Sequence, residues 1–316
     1  MDALLLLLGL AALVLSGELL VRYASSIAVK ASIPPVIIGL TIVSLGTSAP
    51  EVMASVRAAL NGNPGIAIGN VIGSNIANLA LILGITALIH PVAVNRSLIR
   101  SDWPVMFAAS ILFVFFAYDG QLEQWEGGVL FACTFVLIAM LYWRSKKDRR
   151  PKEEEELDLG VEPVLHRPVI WLMSGIGLAC AGLYYGSEWF IQGASGLAVS
   201  AGVSDHVIGL TAVAFGTSIP ELVTSGVAAM KRESDLALGN LIGSNIFNIF
   251  LAIGVSAGIT AMPVDGQAIA SDFWWMLLVA AMILPMMIHQ RLIHRWKGII
   301  LLATYAIYIT VVILGT

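Results

Sequence analysis

Residues 36–51 read VIIGLTIVSLGTSAPE and residues 206–221 read HVIGLTAVAFGTSIPE, two copies of one pattern ending on Glu51 and Glu221 at an offset of 170. The same offset aligns IGNVIGSNIANLALILG (68–84) with LGNLIGSNIFNIFLAIG (238–254) without a gap, and it pairs Glu18 with Glu188 and Asp102 with Asp272. One further residue of shift pairs Trp125 and Gly127 with Trp296 and Gly298. Self-similarity at a fixed period marks a duplicated structural unit. Here the period exceeds half of the 316 residues, so the chain reads as two homologous halves.

Both copies are embedded in apolar sequence. The chain is 58% hydrophobic and 12% charged, with a formal net charge of −4 and a mean hydropathy of +0.87. Soluble domains carry about a quarter charged residues, so this composition excludes an ordinary soluble enzyme, a disordered chain and a nucleic-acid binder. About 20 apolar residues cross about 30 Å of hydrocarbon. Runs of that length lie at roughly 3–29, 34–60, 64–89, 102–118, 124–143, 168–200, 205–230, 236–260, 271–288 and 295–315. We expect ten helices, because in lipid a continuous apolar run satisfies its backbone only as a helix. The first run has no basic leader and no A-x-A-like cleavage site, so it reads as a retained span rather than a secretory signal. Cys133 and Cys180 both lie in apolar runs, which argues against a disulfide framework.

Orientation follows from lysine and arginine, which stay on the cytoplasmic side. With the loops numbered in order, the odd ones hold fifteen of the 17 basic residues, from Lys30 to Lys297, and the even ones hold none. The odd loops are therefore expected in the cytoplasm and both termini outside, in a multi-pass protein of the cell membrane. Residues 144–167, a basic run followed by Glu153 to Glu156, read as a solvated linker between a first five-helix repeat (1–143) and a second (168–316). Five is odd, so the second copy enters the membrane from the opposite side. Secondary transporters are often built from such inverted repeats, with substrate near the midplane where the repeats meet.

The polar residues inside the spans carry the chemistry. Pro50 and Pro220 interrupt spans two and seven, since proline has no N–H and clashes with the carbonyl four residues earlier. That frees the carbonyls near Gly46 and Gly216. Thr47 and Glu51 share a helix face at i and i+4, as do Thr217 and Glu221. A mid-membrane carboxylate costs about 2.5–3.5 kcal/mol on insertion scales, so it should face a partner or a water-filled cavity. Spans three and eight supply Asn70, Ser74 and Asn78, repeated as Asn240, Ser244 and Asn248, each set one stripe along a helix. Glycines 69, 73, 239 and 243 beside the stripes would let backbones approach closely. Interhelical bonding alone would also account for Asn70, Asn75, Asn240 and Asn245. Carboxylates, hydroxyls, amide oxygens and freed carbonyls make an all-oxygen site, which suits hard cations such as Ca²⁺ and Na⁺. The five histidines lie near span ends or in loops, away from these residues. Glu51 and Glu221 together bring two negative charges, which one Ca²⁺ or two or more monovalent ions neutralise. An empty site would carry bare charge through any occluded state, and that asymmetry favours exchange over uniport.

In these paired GTSxPE and GNxxGSNxxN blocks the chain resembles the calcium/cation antiporter superfamily, in particular the prokaryotic sodium/calcium exchangers. The resemblance spans all ten expected helices. It implies an all-α integral membrane protein of two inverted five-helix repeats with helices two and seven broken, exchanging Ca²⁺ for Na⁺ by alternating access. It further implies a calcium site at Glu51, Glu221, Thr47 and Thr217. Sodium sites would share those glutamates and add Ser48, Ser218, Ser74, Ser244 and the backbone around Ser44 and Ala214, with Asn78 and Asn248 completing the centre. Spans one and six would slide across this core as a gate. Potassium-dependent relatives have aspartate where Asn248 stands, and proton-driven ones carry a glutamate where GNVIG and GNLIG stand here, so the resemblance favours Na⁺ as the driving ion. A proton-coupled exchanger on the same fold is the alternative, and a non-transporting scaffold or ion sensor is a further one. Glu18 and Glu188 are candidate gating residues; as an interfacial carboxylate, Glu18 would instead pair with Arg22 at i+4. No cofactor and no obligatory protein partner is expected, only the ions and the bilayer.

Overall fold

Proline or glycine stands beside many of the helix boundaries among the described residues, and the elements follow that punctuation. The computed structural model describes residues 1–147, 167–200, 216–266 and 268–315. Most of the charged linker, with Glu153 to Glu156, and the first half of the seventh expected span, Ala214 included, lie outside the described residues. The long elements are helices: α1 (Asp2–Ala31), α2 (Pro35–Thr47), α3 (Ala49–Leu60), α4 (Pro64–Ile89), α5 (Leu98–Ala117), α6 (Gln124–Lys147), α7 (Val169–Ser200), α8 (Ile219–Met230), α9 (Ser234–Ile259), α10 (Ile269–Ile288) and α11 (Arg295–Gly315). Among the described residues eight are long and apolar enough to cross a membrane, and α2 with α3 makes a ninth bent by 46°.

The bend has a local cause. Ser48 leaves the helical region (φ −86°, ψ 3°), and Pro50, in the first turn of α3, has no N–H to offer the Gly46 carbonyl. Ser218 (φ −89°, ψ 3°) and Pro220 repeat the break at the start of α8. Wide π-helical turns interrupt α4 at Ala77–Ile82 and α9 at Asn248–Ile253. Such turns shift the register of the side chains that follow and recur at functional sites.

Burial separates the helices by role. Of their apolar stretches, 94% of α9 and 72% of α4 are buried, against 22–39% for α1, α5, α6, α7, α10 and α11. Phe115, Val136, Ile170 and Leu178 stand exposed on the outer helices, the surface expected of helices that are apolar all round. One apolar core joins α4 and α9 to α5, α6, α10 and α11, and a second joins α1, α7 and α8. The first core is rigidified by Asp102 of α5, almost wholly buried, which is paired with Arg144 of α6. Arg144, read from sequence as the first linker residue, thus lies in the last turns of a helix that continues to Lys147. Lys297, read as a loop residue, is buried in the first turn of α11, where Nζ donates to the carbonyls of Met286, His289 and Leu292 at 2.7, 2.8 and 2.6 Å.

The connections meet in two groups. Val92–Ala93 pairs antiparallel with Leu292–Ile293, and the Ala93 N–H donates to Ser234 Oγ at 3.1 Å. On the other group, Gln121–Leu122 pairs with Met262–Pro263. In the expected numbering, the first set joins the third, seventh and ninth connections and the second joins the fourth and eighth.

Candidate functional site

The two helix breaks and the two most buried helices meet at one seam. Glu51 in the first turn of α3 and Glu221 in the first turn of α8 are fully buried, as are Ser48, Ser218, Asn78, Asn248, Ser74 and Ser244. Hydrogen bonds across this seam join the halves in matched pairs. Ser48 donates to Glu221 Oε1 at 2.8 Å, and Ser218 to Glu51 Oε1 at 3.4 Å. Thr47 Oγ1 donates to Asn240 Oδ1 at 3.1 Å, and Thr217 Oγ1 to Asn70 Oδ1 at 3.5 Å. Asn78 Nδ2 donates to Asn245 Oδ1 at 3.0 Å, and Asn248 Nδ2 to Asn75 Oδ1 at 3.2 Å. Asn70 and Asn240 are held from their own halves by Ser55 and Ser225, at 3.0 and 3.1 Å.

What is left over defines the chemistry. Glu51 Oε2, Glu221 Oε2, Asn78 Oδ1, Asn248 Oδ1 and Ser74 Oγ are buried without a hydrogen-bond partner. The other such atoms among the described residues are five scattered hydroxyls and Asp272 Oδ1. Each unsatisfied buried group costs about 1–3 kcal/mol, and more when charged. Four of the five at the seam are amide or carboxyl oxygens, acceptors wherever the carboxyl is ionised. Oxygens of this kind are the ligand chemistry that a hard cation, which takes six to eight oxygens, could use.

The expected site residues are not all equivalent. Ser244 donates to Glu221 Oε1 at 3.3 Å, whereas its counterpart Ser74 has no partner. Ser44 is buried but its hydroxyl turns back to the Thr41 carbonyl at 3.2 Å. The Gly216 carbonyl, expected to be free, accepts a 2.7 Å hydrogen bond from Ser187 of α7. At the matching place in α1 stands Gly17, which has no hydroxyl, so the two freed carbonyls differ. Ser55, Ser225 and Ser187 were not singled out from sequence. The first two were findable, because they sit four residues after each glutamate.

The surroundings are equally unsymmetrical. A cavity of about 810 Å³ opens between α3 and α7, bounded by Arg57, Asn61, Asn63 and Glu188, and reaches Pro50 and Thr217 beside the seam. At the opposite end α1 is fastened to the 231–233 turn. Ser25 donates to the Glu233 carboxylate, and Lys231 pairs with Glu18 at 3.2 Å. Glu18 is thus bound to Lys231 in the turn after α8, not to Arg22 as the i+4 spacing would have it. By the 170 offset, Lys231 and Glu233 correspond to Asn61 and Asn63, which line the open cavity.

The description Sodium/calcium exchanger protein belongs to the family model that matches residues 1–143 and 171–314, nearly the whole chain. The chain belongs to that family. CaxA of Alkalimonas amylolytica, described provisionally as an antiporter, is 40% identical over 309 residues, covering 96% of this chain and 95% of its own. The sodium/calcium exchanger MaX1 of Methanosarcina acetivorans is 32% identical over 348 residues, covering 98% and 97%. Among solved structures, the sodium-calcium exchanger NCX_Mj soaked with Na⁺ and Ca²⁺ superposes with a TM-score of 0.82 at 31% identity, over 98% of this chain and 97% of that one. As a member of this exchanger family the protein is a secondary transporter and not an enzyme, and cations are its cargo.

Proposed function

We propose that this exchanger moves Ca²⁺ against Na⁺ by alternating access, with the ions held between two inverted five-helix halves, 1–143 and 168–316. The observation that carries the reading is the set of orphaned oxygens on Glu51, Glu221, Asn78, Asn248 and Ser74. The calcium position would use the two glutamates with Thr47 and Thr217. The sodium positions would add Ser48, Ser218, Ser74, Ser244 and the backbone near Ser44 and Ala214. In reconstituted vesicles an outward Na⁺ gradient should drive ⁴⁵Ca²⁺ uptake. Uptake that ignores Na⁺ and follows an imposed pH gradient would replace Na⁺ by H⁺ as the driving ion.

By the positive-inside rule, the end of the seam beside the basic connections would face the cytoplasm. On that assignment both termini are outside, the cavity beside Glu188 is the extracellular approach to the site, and the Ser25–Glu233 and Glu18–Lys231 contacts close the cytoplasmic side. Reversal of this arrangement, with α1 and α7 moving over the core, would expose the ions inward.

The cytoplasmic closure carries a pH dependence. Burial pushes the Glu233 carboxyl up to about 7, an effect that the Ser25 hydrogen bond and the Lys231 ammonium only partly offset. Released into water, the group returns to about 4.3. The closed contact therefore holds a proton that the open one gives up, so closure is strongest at low pH and weakens as pH rises through about 7. Acidifying the cytoplasmic face from about pH 8 to about pH 6 should slow exchange. Glu233→Gln, a neutral stand-in for the protonated form, should give slow exchange with a flat profile over that window. A profile unaltered by Glu233→Gln would assign the dependence to another group.

A further inference from the structure

Of the six asparagines bonded across the seam, Asn75, Asn78, Asn245 and Asn248 bond to one another, and of these Asn75 and Asn245 carry no orphaned atom. Asn245 Nδ2 donates to the Asn75 carbonyl at 3.1 Å, and Asn75 Nδ2 donates to the Asn245 carbonyl at 3.3 Å. A main-chain carbonyl only accepts, so each of these bonds fixes which way round the side-chain amide stands. With Nδ2 committed to Asn75, Asn245 turns Oδ1 toward Asn78. Asn78 must answer with its own Nδ2, at 3.0 Å, which leaves Asn78 Oδ1 as the unpaired oxygen. The mirrored relay runs from the Asn245 carbonyl through Asn75 to Asn248, whose Nδ2 is taken at 3.2 Å and whose Oδ1 is unpaired.

We propose that Asn75 and Asn245 are positioning residues, each acting across the seam to aim the amide oxygen of the other half's asparagine at the transported cation. This rests on the reading of Asn78 and Asn248 as cation ligands. An amide turned the wrong way would present two N–H donors to a cation, so orientation matters as much as presence. The two relays are separable, because each begins at a backbone carbonyl that an alanine variant retains. Asn245→Ala frees Asn78 while Asn75 still holds Asn248. Asn75→Ala does the converse.

The test is a set of ⁴⁵Ca²⁺ uptake KM measurements on the full chain in vesicles. Asn245→Ala should raise the KM for Ca²⁺ about tenfold, the cost of one misaligned charge-assisted contact. In an Asn78→Ala background it should add nothing further, because the ligand it aims is already gone, whereas Asn75→Ala should still add about tenfold. In an Asn78→Asp background Asn245→Ala should not raise the KM at all, since a carboxylate offers oxygen whichever way it turns. A merely structural role for Asn245 would weaken transport in all three backgrounds, and that result would overturn the proposal. If Asn245→Ala does not fold, the mirrored set, Asn75→Ala with Asn248→Ala and Asn248→Asp, decides the question in the same way. If Asn78→Ala and Glu51→Gln both leave the KM unchanged, the ligand reading itself fails, and the proposal with it.

Discussion

Glu51→Gln and Glu221→Gln should each abolish measurable Na⁺-driven Ca²⁺ uptake while leaving a folded, monodisperse protein. Removing one member of a buried, hydrogen-bonded charge set costs about 2–5 kcal/mol. That corresponds to a loss on the order of 30- to 4,000-fold in Ca²⁺ affinity. The fold is spared for a geometric reason. Glutamine keeps an acceptor for Ser48 at Glu221 or for Ser218 at Glu51, so the bonds that close the seam survive the change. Two fully buried carboxylates in an empty site also repel one another, so either variant should melt no lower than the native protein without cation. Adding Ca²⁺ separates them: it should raise the melting temperature of the native exchanger by neutralising the pair and leave the variants nearly unmoved. Transport retained by either variant would remove the glutamates from the site. Loss of the folded protein in both would mark the pair as structural.

That the glutamates and helix breaks could be read from sequence has a plain cause. Proline and an intramembrane carboxylate carry their consequences locally, so Pro50 with Glu51 and Pro220 with Glu221 mean the same thing in any context that spans a bilayer. The stripes of asparagine and serine were legible as a face, because helical periodicity fixes direction. Their partners were not, since nothing at i+3 or i+4 reveals whether Asn75 meets its own helix or Asn245 of the other half. The Gly216 carbonyl fell to Ser187, 29 residues away on α7, and Glu18 fell to Lys231, 213 residues away. Both are contacts between elements that only packing brings together. The open and closed ends were also beyond the sequence. Two homologous halves that share their motif blocks leave both ends open, and the choice lies in departures from the repeat, such as Asn61 and Asn63 against Lys231 and Glu233.

The contact between α1 and α7 supplies the other large expected effect. These helices lie backbone to backbone: a Cβ on Gly9 would press on the Phe190 nitrogen and lie 2.8 Å from the Gly186 carbonyl oxygen, and one on Gly193 would lie 2.6 Å from the Asp2 oxygen. Between helices in lipid there is little hydrophobic drive, so close packing of small residues holds such a pair together. Main chain cannot step aside as a flexible side chain can, so Gly9→Val or Gly193→Val must push the helices apart. Overpacking of this kind costs about 3 kcal/mol, at the upper end for a single substitution. On the proposal that α1 and α7 move as one gate, exchange should fall on the order of 100-fold, while the Ca²⁺-induced rise in melting temperature persists, because Glu51 and Glu221 sit on α3 and α8. Gly177→Val is the control on the same helix, since a Cβ there meets nothing within 4 Å among the described residues; it should transport normally. If Gly9→Val and Gly193→Val transport as well as Gly177→Val does, the pair does not need to stay in register. If they lose the Ca²⁺-induced stabilisation along with transport, the gate and the binding seam are one mechanical unit rather than two.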